Sequence, residues 1–518
     1  MQAIQLQTFT PTAMPRTVIE RRLPAAAGAP IRVQSNGYDY VVTGNTLLPA
    51  ARIRTELASA TGPAEAAQRL LALYRRLGHV MIGIRVLTSS NHVTIAVVEG
   101  RIVDVREQAS GLAAFYRGVA FDPTVTNDQL LRRNVMADAY ASASGLDFRP
   151  NLRPAPQPGG SDLVLDAAQH PGFESLSGSA LLGNYGNRYT GGVVLGENLQ
   201  LQPGHGTVFA LNYAHGLPEL TNASRGSRYD GAGASAAVIT PYGKYTLAWA
   251  GARYRVGAAG APLYPEGSTE AWTLSGERLL AATPTARFGV NGALAHVHVA
   301  SDVYGGAYVL TDQDYNVASL GFRVAKNVVA FGRQASVSAT ATATLGLSAP
   351  RGTLAISQPG APESRFRYIN LGLNWDQPLT AGWSLSLSTS GQWSWSSLPQ
   401  NQQWVLGGIG SLSAWSPAII VGDSGILNRA VLQSPTRSLG RWTASAQAFV
   451  EQGAAASRYT PPSTPAWTGL ADAGLGVSLQ WRRTQLSLVA ATRIDSHNLT
   501  QADRNGRRAL YVVLQQGF

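Results

Sequence analysis

Residues 383–395 read WSLSLSTSGQWSW, and the fold of the whole chain turns on how this stretch is read. Trp383, Leu385, Leu387, Thr389, Trp393 and Trp395 share one parity; Ser384, Ser386, Ser388, Ser390, Gln392 and Ser394 share the other. A period of two places the two sets on opposite faces of a β-strand. An ordinary sandwich strand shows the same alternation. The apolar face here is different, with Trp at each end and aliphatics between. A tilted strand of about 10 residues crosses a bilayer, with aromatics at both interfaces and a polar opposite face. The stretch is read as a membrane-crossing strand of a closed barrel, with Trp383, Trp393 and Trp395 at the interfaces.

The neighbouring stretch, Trp404–Gly425, reads WVLGGIGSLSAWSPAIIVGDSG. It is too long and too glycine-rich for a hairpin turn, and loops of this length are usually functional or disordered. Leu406, Ile409, Leu412, Trp415, Ile419, Ile420 and Val421 argue against disorder. So apolar a loop must fold back onto something, and in a barrel that is the lumen wall. A lumen loop over residues 396–423 is expected.

Outward from this centre, residues 171–518 contain about 16 alternating segments, near 175–184, 190–201, 206–214, 230–238, 244–253, 271–280, 284–296, 314–325, 335–345, 366–376, 383–395, 424–433, 441–450, 471–481, 483–492 and 508–518. An even count is what bacterial outer-membrane barrels require. Short connections (Gln202–His205, Pro241–Gly243, Arg482) alternate with long ones (Tyr254–Glu270, Val297–Gln313, Glu451–Leu470). Short turns on one side and long loops on the other fit a barrel threaded from the periplasm. The last segment alternates through Leu510, Val512 and Leu514 to Phe518, which is expected at a membrane interface and leaves the closing edge without a disordering tail.

Upstream, residues 1–29 are Pro/Ala-rich, with one short candidate helix at Thr17–Arg22, and read as a leader or linker. Residues 30–105 change to a small α+β unit: strand Tyr38–Val42, helices Leu48–Ser59 and Ala64–Leu77, then a hairpin of Val80–Leu87 and His92–Val98. Residues 106–170 hold a weaker copy, with helix-like Leu130–Met136 and strand-like Asp147–Arg153 and Asp162–Ala167. Two such units in tandem predict a modular periplasmic arm.

Composition narrows the function. Charged residues make up 14%, below the roughly 25% of soluble domains. No apolar run approaches the roughly 20 residues of a spanning helix. Cysteine is absent, which excludes a disulfide scaffold and Cys-ligated metal. The net charge of +11 comes with no Lys/Arg-rich run, so arginines facing anionic lipid explain it better than nucleic acid. The Met1 segment lacks the charged and apolar regions of a signal peptide, so such a signal is expected to have been removed from, or left out of, this sequence. There is no G-x-S-x-G elbow, phosphate loop or H-E-x-x-H, and neither an enzyme nor a cofactor is expected. His296 and His298 share a face; without a carboxylate or third ligand in register they are read as lumen-lining polar residues rather than a metal pair. Gly231-Ala-Gly233 is read as small residues in a strand, not a dinucleotide fingerprint. Arg504, Arg507 and Arg508 flank a long loop and either meet lipopolysaccharide phosphates or are simply solvated.

At this point the chain resembles the outer-membrane transporters of two-partner secretion, the haemolysin secretion/activation family of the BamA-like superfamily. VVTGNTLL, YRRLGHV and VTIAVVEGRIVDV within 38–103 are similar to the family's first POTRA domain; QLLRRNV, GLDFRPNLRP and GGSDLVLD within 130–166 are similar to the second. GNYGNRYTGGVVLG at 183–196 resembles the first barrel hairpin, and LGGIGSLSAW at 406–415 with VGDSGILNRAVLQ at 421–433 resembles the sixth extracellular loop and the strand after it. The resemblance implies a barrel of about 16 antiparallel strands preceded by two POTRA domains. It further implies an outer-membrane location with the POTRA domains in the periplasm, and capture and export of an unfolded exoprotein. No nucleic acid is involved, the contacts are with outer-membrane lipid and lipopolysaccharide, and a monomer is expected.

One departure falls at the functional centre. The family's loop carries Val-Arg-Gly-aromatic, its Arg pairing with an acid on the barrel wall; the matching positions here are Leu412, Ser413, Ala414 and Trp415, within a motif that includes Gly408, Gly410 and Ser411. The wall acid's counterpart is Glu451, in Phe449-Val-Glu451-Gln-Gly453. A charge-assisted hydrogen bond contributes roughly 1.5–3 kcal/mol and a neutral one about 1, so a Ser413–Glu451 contact is expected to hold less firmly. Two alternatives stay open: packing of Leu412 and Trp415 anchors the loop, or the barrel has diverged into a small-solute or polysaccharide pore or a surface structural protein.

Overall fold

Alternation of small, polar and apolar residues every second position builds most of this protein into sheet. The computed structural model describes residues 28–79, 81–107, 111–122, 124–157, 159–187, 191–220, 225–257, 260–347, 351–356, 358, 360–459, 467–499 and 510–518. The candidate helix Thr17–Arg22 and Arg504, Arg507 and Arg508 lie outside them.

The first unit contains β1 (Ile31–Ser35), β2 (Tyr38–Thr43), α1 (Ala50–Leu57), α2 (Pro63–Arg76), β3 (Ile82–Ser89) and β4 (His92–Glu99). Its sheet order is β1-β2-β4-β3, with β2 and β4 parallel and both helices packed on one face through Ile53, Leu57, Leu70 and Tyr74. Gly44 turns the chain after β2 at φ 81°, where a Cβ would lie 2.2 Å from the Val97 carbonyl oxygen. Glu99 then ties the turn down: it accepts the N–H of Thr46 (2.9 Å) and of Leu47 (3.1 Å), and the Tyr74 hydroxyl (3.0 Å). Burial against Glu99 pushes the Tyr74 phenol well above its ordinary value.

The second unit is β5 (Arg101–Glu107), α3 (Asn127–Ala143), β6 (Leu146–Pro154) and β7 (Gly160–Gln169), in sheet order β5-β7-β6; this corrects the boundary expected after residue 105, because Arg101–Glu107 pairs with β7 rather than with the first sheet. A single-turn helix at Ala113–Tyr116 stands where the first unit has α1. A capping box starts α3: Thr126 Oγ1 accepts from Gln129 N–H (3.3 Å), and Gln129 Oε1 accepts from Thr126 N–H (3.2 Å). The unit lies against the short-turn end of the barrel. There Ser144 Oγ accepts from Gly206 N–H (2.8 Å), and Arg132 donates to the Leu280 carbonyl (3.3 Å).

β8 (Leu176–Gly183), β9 (Val193–Gly204), β10 (Thr207–Leu217) and β11 (Arg228–Thr240) begin the barrel. β12 (Gly243–Arg255), β13 (Glu266–Ala282), β14 (Ala286–Val303) and β15 (Tyr308–Ala330) continue it. After β16 (Arg333–Gly346), β17 (Arg367–Pro378) and β18 (Ser384–Ser394) comes the long loop, which holds β19 (Trp404–Leu406) and β20 (Ile420–Gly422). β21 (Ser424–Gln433), the short β22 (Arg437–Leu439), β23 (Trp442–Ala456), β24 (Trp467–Trp481), β25 (Thr484–His497) and β26 (Leu510–Gly517) complete the wall. β21 and β22 both pair with β23, and β26 pairs back to β8, giving a closed antiparallel barrel of 16 strands. Closure satisfies the ladder hydrogen bonds internally, which is what the hydrocarbon demands. Phe518 finishes the seam. Its N–H donates to Gly178 O (3.0 Å), and a Cβ on Gly178 would meet its ring at 2.2 Å.

Parity sorts the two faces. Trp383, Leu387, Trp393 and Trp395 are exposed outward, while Gln392 and Ser394 are buried inward. Leu247, Leu274 and Leu294 are register partners on the outer face, and Trp249 and Trp272 form the next row. Such an apolar girdle is far larger than a soluble monomer exposes. His296 and His298 also face outward, correcting the expectation that they line the lumen. Val297 and Val299 take the inner face with Tyr315, and His296 instead meets Asn316 (3.0 Å) and Asp314 (3.7 Å). His296 is the register partner of Trp272 in the Trp row, and His298 lies just past it toward the long-loop end, opposite Glu270 and Asp314, where the outer face is polar.

Candidate functional site: a loop seated on the lumen wall

One buried residue at the loop's exit ties it to the loop's entry and to the residues just after β23. Asp423, buried, accepts Leu398 N–H on Oδ1 (2.8 Å) and Arg458 N–H on Oδ2 (2.7 Å). The ascending limb crosses to one wall, where Asn401 bonds the Tyr315 hydroxyl and Gln402 accepts from the Tyr368 hydroxyl (2.7 Å). β19 and β20 then pair antiparallel, Trp404 opposite Gly422, and deliver the tip to the other wall. Gly407 turns the tip at φ 112°; a Cβ there would lie 2.2 Å from Ser416 O. Gly407 N–H bonds Ser411 O (2.7 Å) and Gly408 N–H bonds Trp415 O (3.1 Å), so the tip is a compact knot. Leu412 adopts φ 70°, an uncommon backbone for a bulky residue, and this bend turns the next two N–H groups toward the wall.

Those two N–H groups carry the attachment. Ser413 N–H donates to Glu451 Oε2 (2.7 Å), and Ala414 N–H donates to Asp472 Oδ2 (2.7 Å). Glu451 and Asp472 are both 0% exposed, and Ser413 is 1% exposed. The Ser413–Glu451 bond, with Arg429 on the other carboxylate oxygen, is charge-assisted and worth roughly 1.5–3 kcal/mol net of competition with water. The contact expected between Ser413 and Glu451 therefore forms, but through the backbone. The Ser413 hydroxyl stays within the knot and accepts from Gly410 N–H (3.0 Å).

Packing adds to this. Leu406, Leu412, Ala414, Trp415 and Ile420 share one core with Val431, Phe449, Ala455, Leu470, Val489, Ala491 and Tyr511 of the wall. Trp415 is 1% exposed, and the Tyr511 hydroxyl reaches its carbonyl (3.4 Å), linking the knot to the closing strand. The absence of a side chain at Gly453 leaves room for Leu406 and Leu412: a Cβ would approach them to 3.0 and 3.2 Å. Phe449 lies beneath the Arg429 guanidinium, 5.5 Å from the ring centre.

Asp472, Asp423, Arg429 and Arg493 were not picked out from the sequence. Their signal is register, which a single chain does not display: Arg429 is opposite Glu451, Glu451 opposite Asp472, and Asp472 opposite Arg493. Arg429 Nε bonds Glu451 Oε1 (2.8 Å), and the Arg493 guanidinium stacks 3.9 Å from the centre of the Trp415 ring. On the opposite wall, β8–β13 face the lumen with Leu181, Asn198, Asn212, Gly231, Ala250 and Thr269 around a cavity of about 520 Å³. Gly231 and Gly233 lie within β11, as small strand residues.

A closed barrel with a long loop seated on its inner wall defines an outer-membrane β-barrel of the transporter class. The profile described as haemolysin secretion/activation protein ShlB/FhaC/HecB matches residues 159–479, and the chain belongs to that family of two-partner secretion transporters. Its members are non-enzymatic, protein-translocating channels that work with secreted exoprotein partners. Among solved structures, CdiB from Escherichia coli superposes with a TM-score of 0.78 at 17% identity, over 99% of this chain and 94% of that one. CdiB from Acinetobacter baumannii superposes with a TM-score of 0.68 at 15% identity, over 88% of this chain and 81% of that one. No curated protein matches the chain.

Proposed function

We propose that the two α+β units act as periplasmic POTRA domains that capture an unfolded exoprotein, and that the barrel conducts it outward while the Gly408–Trp415 knot gates the lumen. The observation that carries the reading is the pair of loop N–H groups on two buried wall carboxylates, which makes the loop a seated part rather than a surface excursion. Capture proceeds by strand addition, where main-chain hydrogen bonds supply affinity and side-chain pockets selectivity. β3 suits this role: it is an edge strand without proline, whereas the edge strand β6 carries Pro150 and Pro154. We read the barrel as a monomer, since its closed ladder leaves no edge strand for a second copy to extend. Its outer face meets membrane lipid and lipopolysaccharide, with Trp383, Trp393, Trp395 and Phe518 at the interfaces.

Planar-bilayer recording tests the gate. Trp415→Ala removes the largest side chain buried between knot and wall, at a cost of roughly 3–5 kcal/mol of packing. The open-state conductance is expected to rise relative to the parent chain. Unchanged conductance would show that the knot does not limit the lumen, and would favour a pore of another kind.

A further inference from the structure

Across four consecutive wall strands, β21, β23, β24 and β25, one transverse row of inward residues reads Arg429, Glu451, Asp472, Arg493. The two acids in the middle are fully buried, and the formal charges of the row sum to zero. This arrangement inverts the usual problem of a buried carboxylate. An isolated buried charge costs several kcal/mol unless a partner neutralises it. Here both cations belong to wall strands flanking the acids, so the wall and not the loop supplies them.

The loop then needs to bring no charge of its own. Its contribution to the row is two backbone N–H groups, from Ser413 and Ala414, and one indole ring under the Arg493 guanidinium. Ser413 is 1% exposed, so a long cationic side chain there would be a third cation in a row already neutral. We propose that Arg429 and Arg493 are positioning residues of the lumen loop: cations fixed on the barrel wall that neutralise Glu451 and Asp472 and so allow an uncharged knot to be latched there. Arg429 orients Glu451 through Oε1, leaving Oε2 for the loop. Arg493 holds the knot by its face contact with Trp415, a desolvated cation–π pair. This rests on the gating reading above, yet it makes a separate claim.

The test uses loop position rather than transport. The chain has no cysteine, so Ala414→Cys gives a unique thiol that keeps its backbone N–H and is buried when the knot is seated. Labelling by a membrane-impermeant maleimide is followed in the full chain in proteoliposomes. Heat-modifiable migration on a gel reports an intact barrel for each variant. Arg429→Gln and Arg493→Gln are each expected to speed labelling about tenfold, the loss of one charge-assisted contact. Arg429→Lys and Arg493→Lys restore most of the protection. Ser413→Arg alone also speeds labelling, because it adds a third cation, while Ser413→Arg with Arg493→Gln brings it back toward the parent rate. That reciprocal rescue is not expected of residues that merely stabilise the barrel.

Parent-like labelling in both Gln variants, or no rescue by Ser413→Arg, overturns the assignment. Deletion of Gly408–Trp415, with conductance as its readout, separates the two claims. A changed conductance with silent Gln variants leaves the gate standing and removes the wall cations from it. An unchanged conductance with fast labelling in the Gln variants removes the gate and keeps the wall cations as the loop's anchor.

Discussion

Ser413 shows how a residue can serve an attachment without its side chain. Its hydroxyl closes the knot onto Gly410, and its N–H faces Glu451. The opposing residue, Gly453, is the counterpart of this economy on the wall. Gly453→Ala would put a methyl group 3.0 Å from Leu406 and 3.2 Å from Leu412 with little room to yield. Overpacking of this kind costs about 1–3 kcal/mol, and two of its three nearest contacts are knot side chains, the third being the Ile426 carbonyl of the wall at 3.2 Å. Gly453→Ala is therefore expected to raise the frequency of channel openings while leaving the barrel's heat-modifiable migration unchanged; parent-like gating would place the knot elsewhere. At this scale the sequence shows half of the site. Leu412, Trp415, Phe449 and Glu451 are legible because they sit in a motif. Arg429 lies in the quoted 421–433 stretch without a role that the sequence shows, Asp472 and Arg493 lie in none, and only strand register brings the three into one row with Glu451.

At the scale of elements, helix α2 offers a pH-dependent contact. Glu65, in its first turn, accepts Thr61 N–H (2.9 Å) and pairs with Arg69 (2.8 Å). The Thr61 hydrogen bonds and then Arg69 hold its carboxyl down at about 2, against an ordinary value of 4.5. A depressed folded-state value means that the ionised form stabilises the helix start. That contribution is fully present above pH 4.5 and is lost as pH falls toward about 2. Hydrogen exchange at the N-terminal turn of α2 should be faster in Glu65→Gln than in the parent at neutral pH, with the difference closing across that acid window. A difference that persists at pH 2 would contradict it. Elements were the most legible level of the chain: all 16 wall strands follow from period-two alternation, and β14 and β15 merely run longer than their alternating cores. β1 and β5 are not legible: IRVQS alternates but is only five residues long, and RIVDVRE follows β4 after the single residue Gly100. Polarity alone predicts a lumen facing for His296 and His298, whereas register sets His296 in the outward Trp249–Trp272 row and His298 opposite Glu270 just past it.

Over the whole molecule, the second α+β unit lies against the short-turn end of the barrel, one loop partly fills the lumen, and a small-residue wall faces it across the cavity. The low charge content and absence of cysteine suit a barrel whose stability comes from a closed ladder and lipid, not from ion pairs or disulfides. Sequence alone also carried the family, through motifs in the right order. It left export in question because Ser413 and Ala414 replace the loop's charged signature. The neutral wall row supplies a physical reason that such a loop can still be seated. The measurement that tests export most directly is deletion of this chain in its native host, with mass spectrometry of the culture supernatant, cell surface and periplasm. Loss of one large protein from outside, with its fragments accumulating in the periplasm, is the predicted result. An unchanged exoproteome would contradict it and assign the barrel another task.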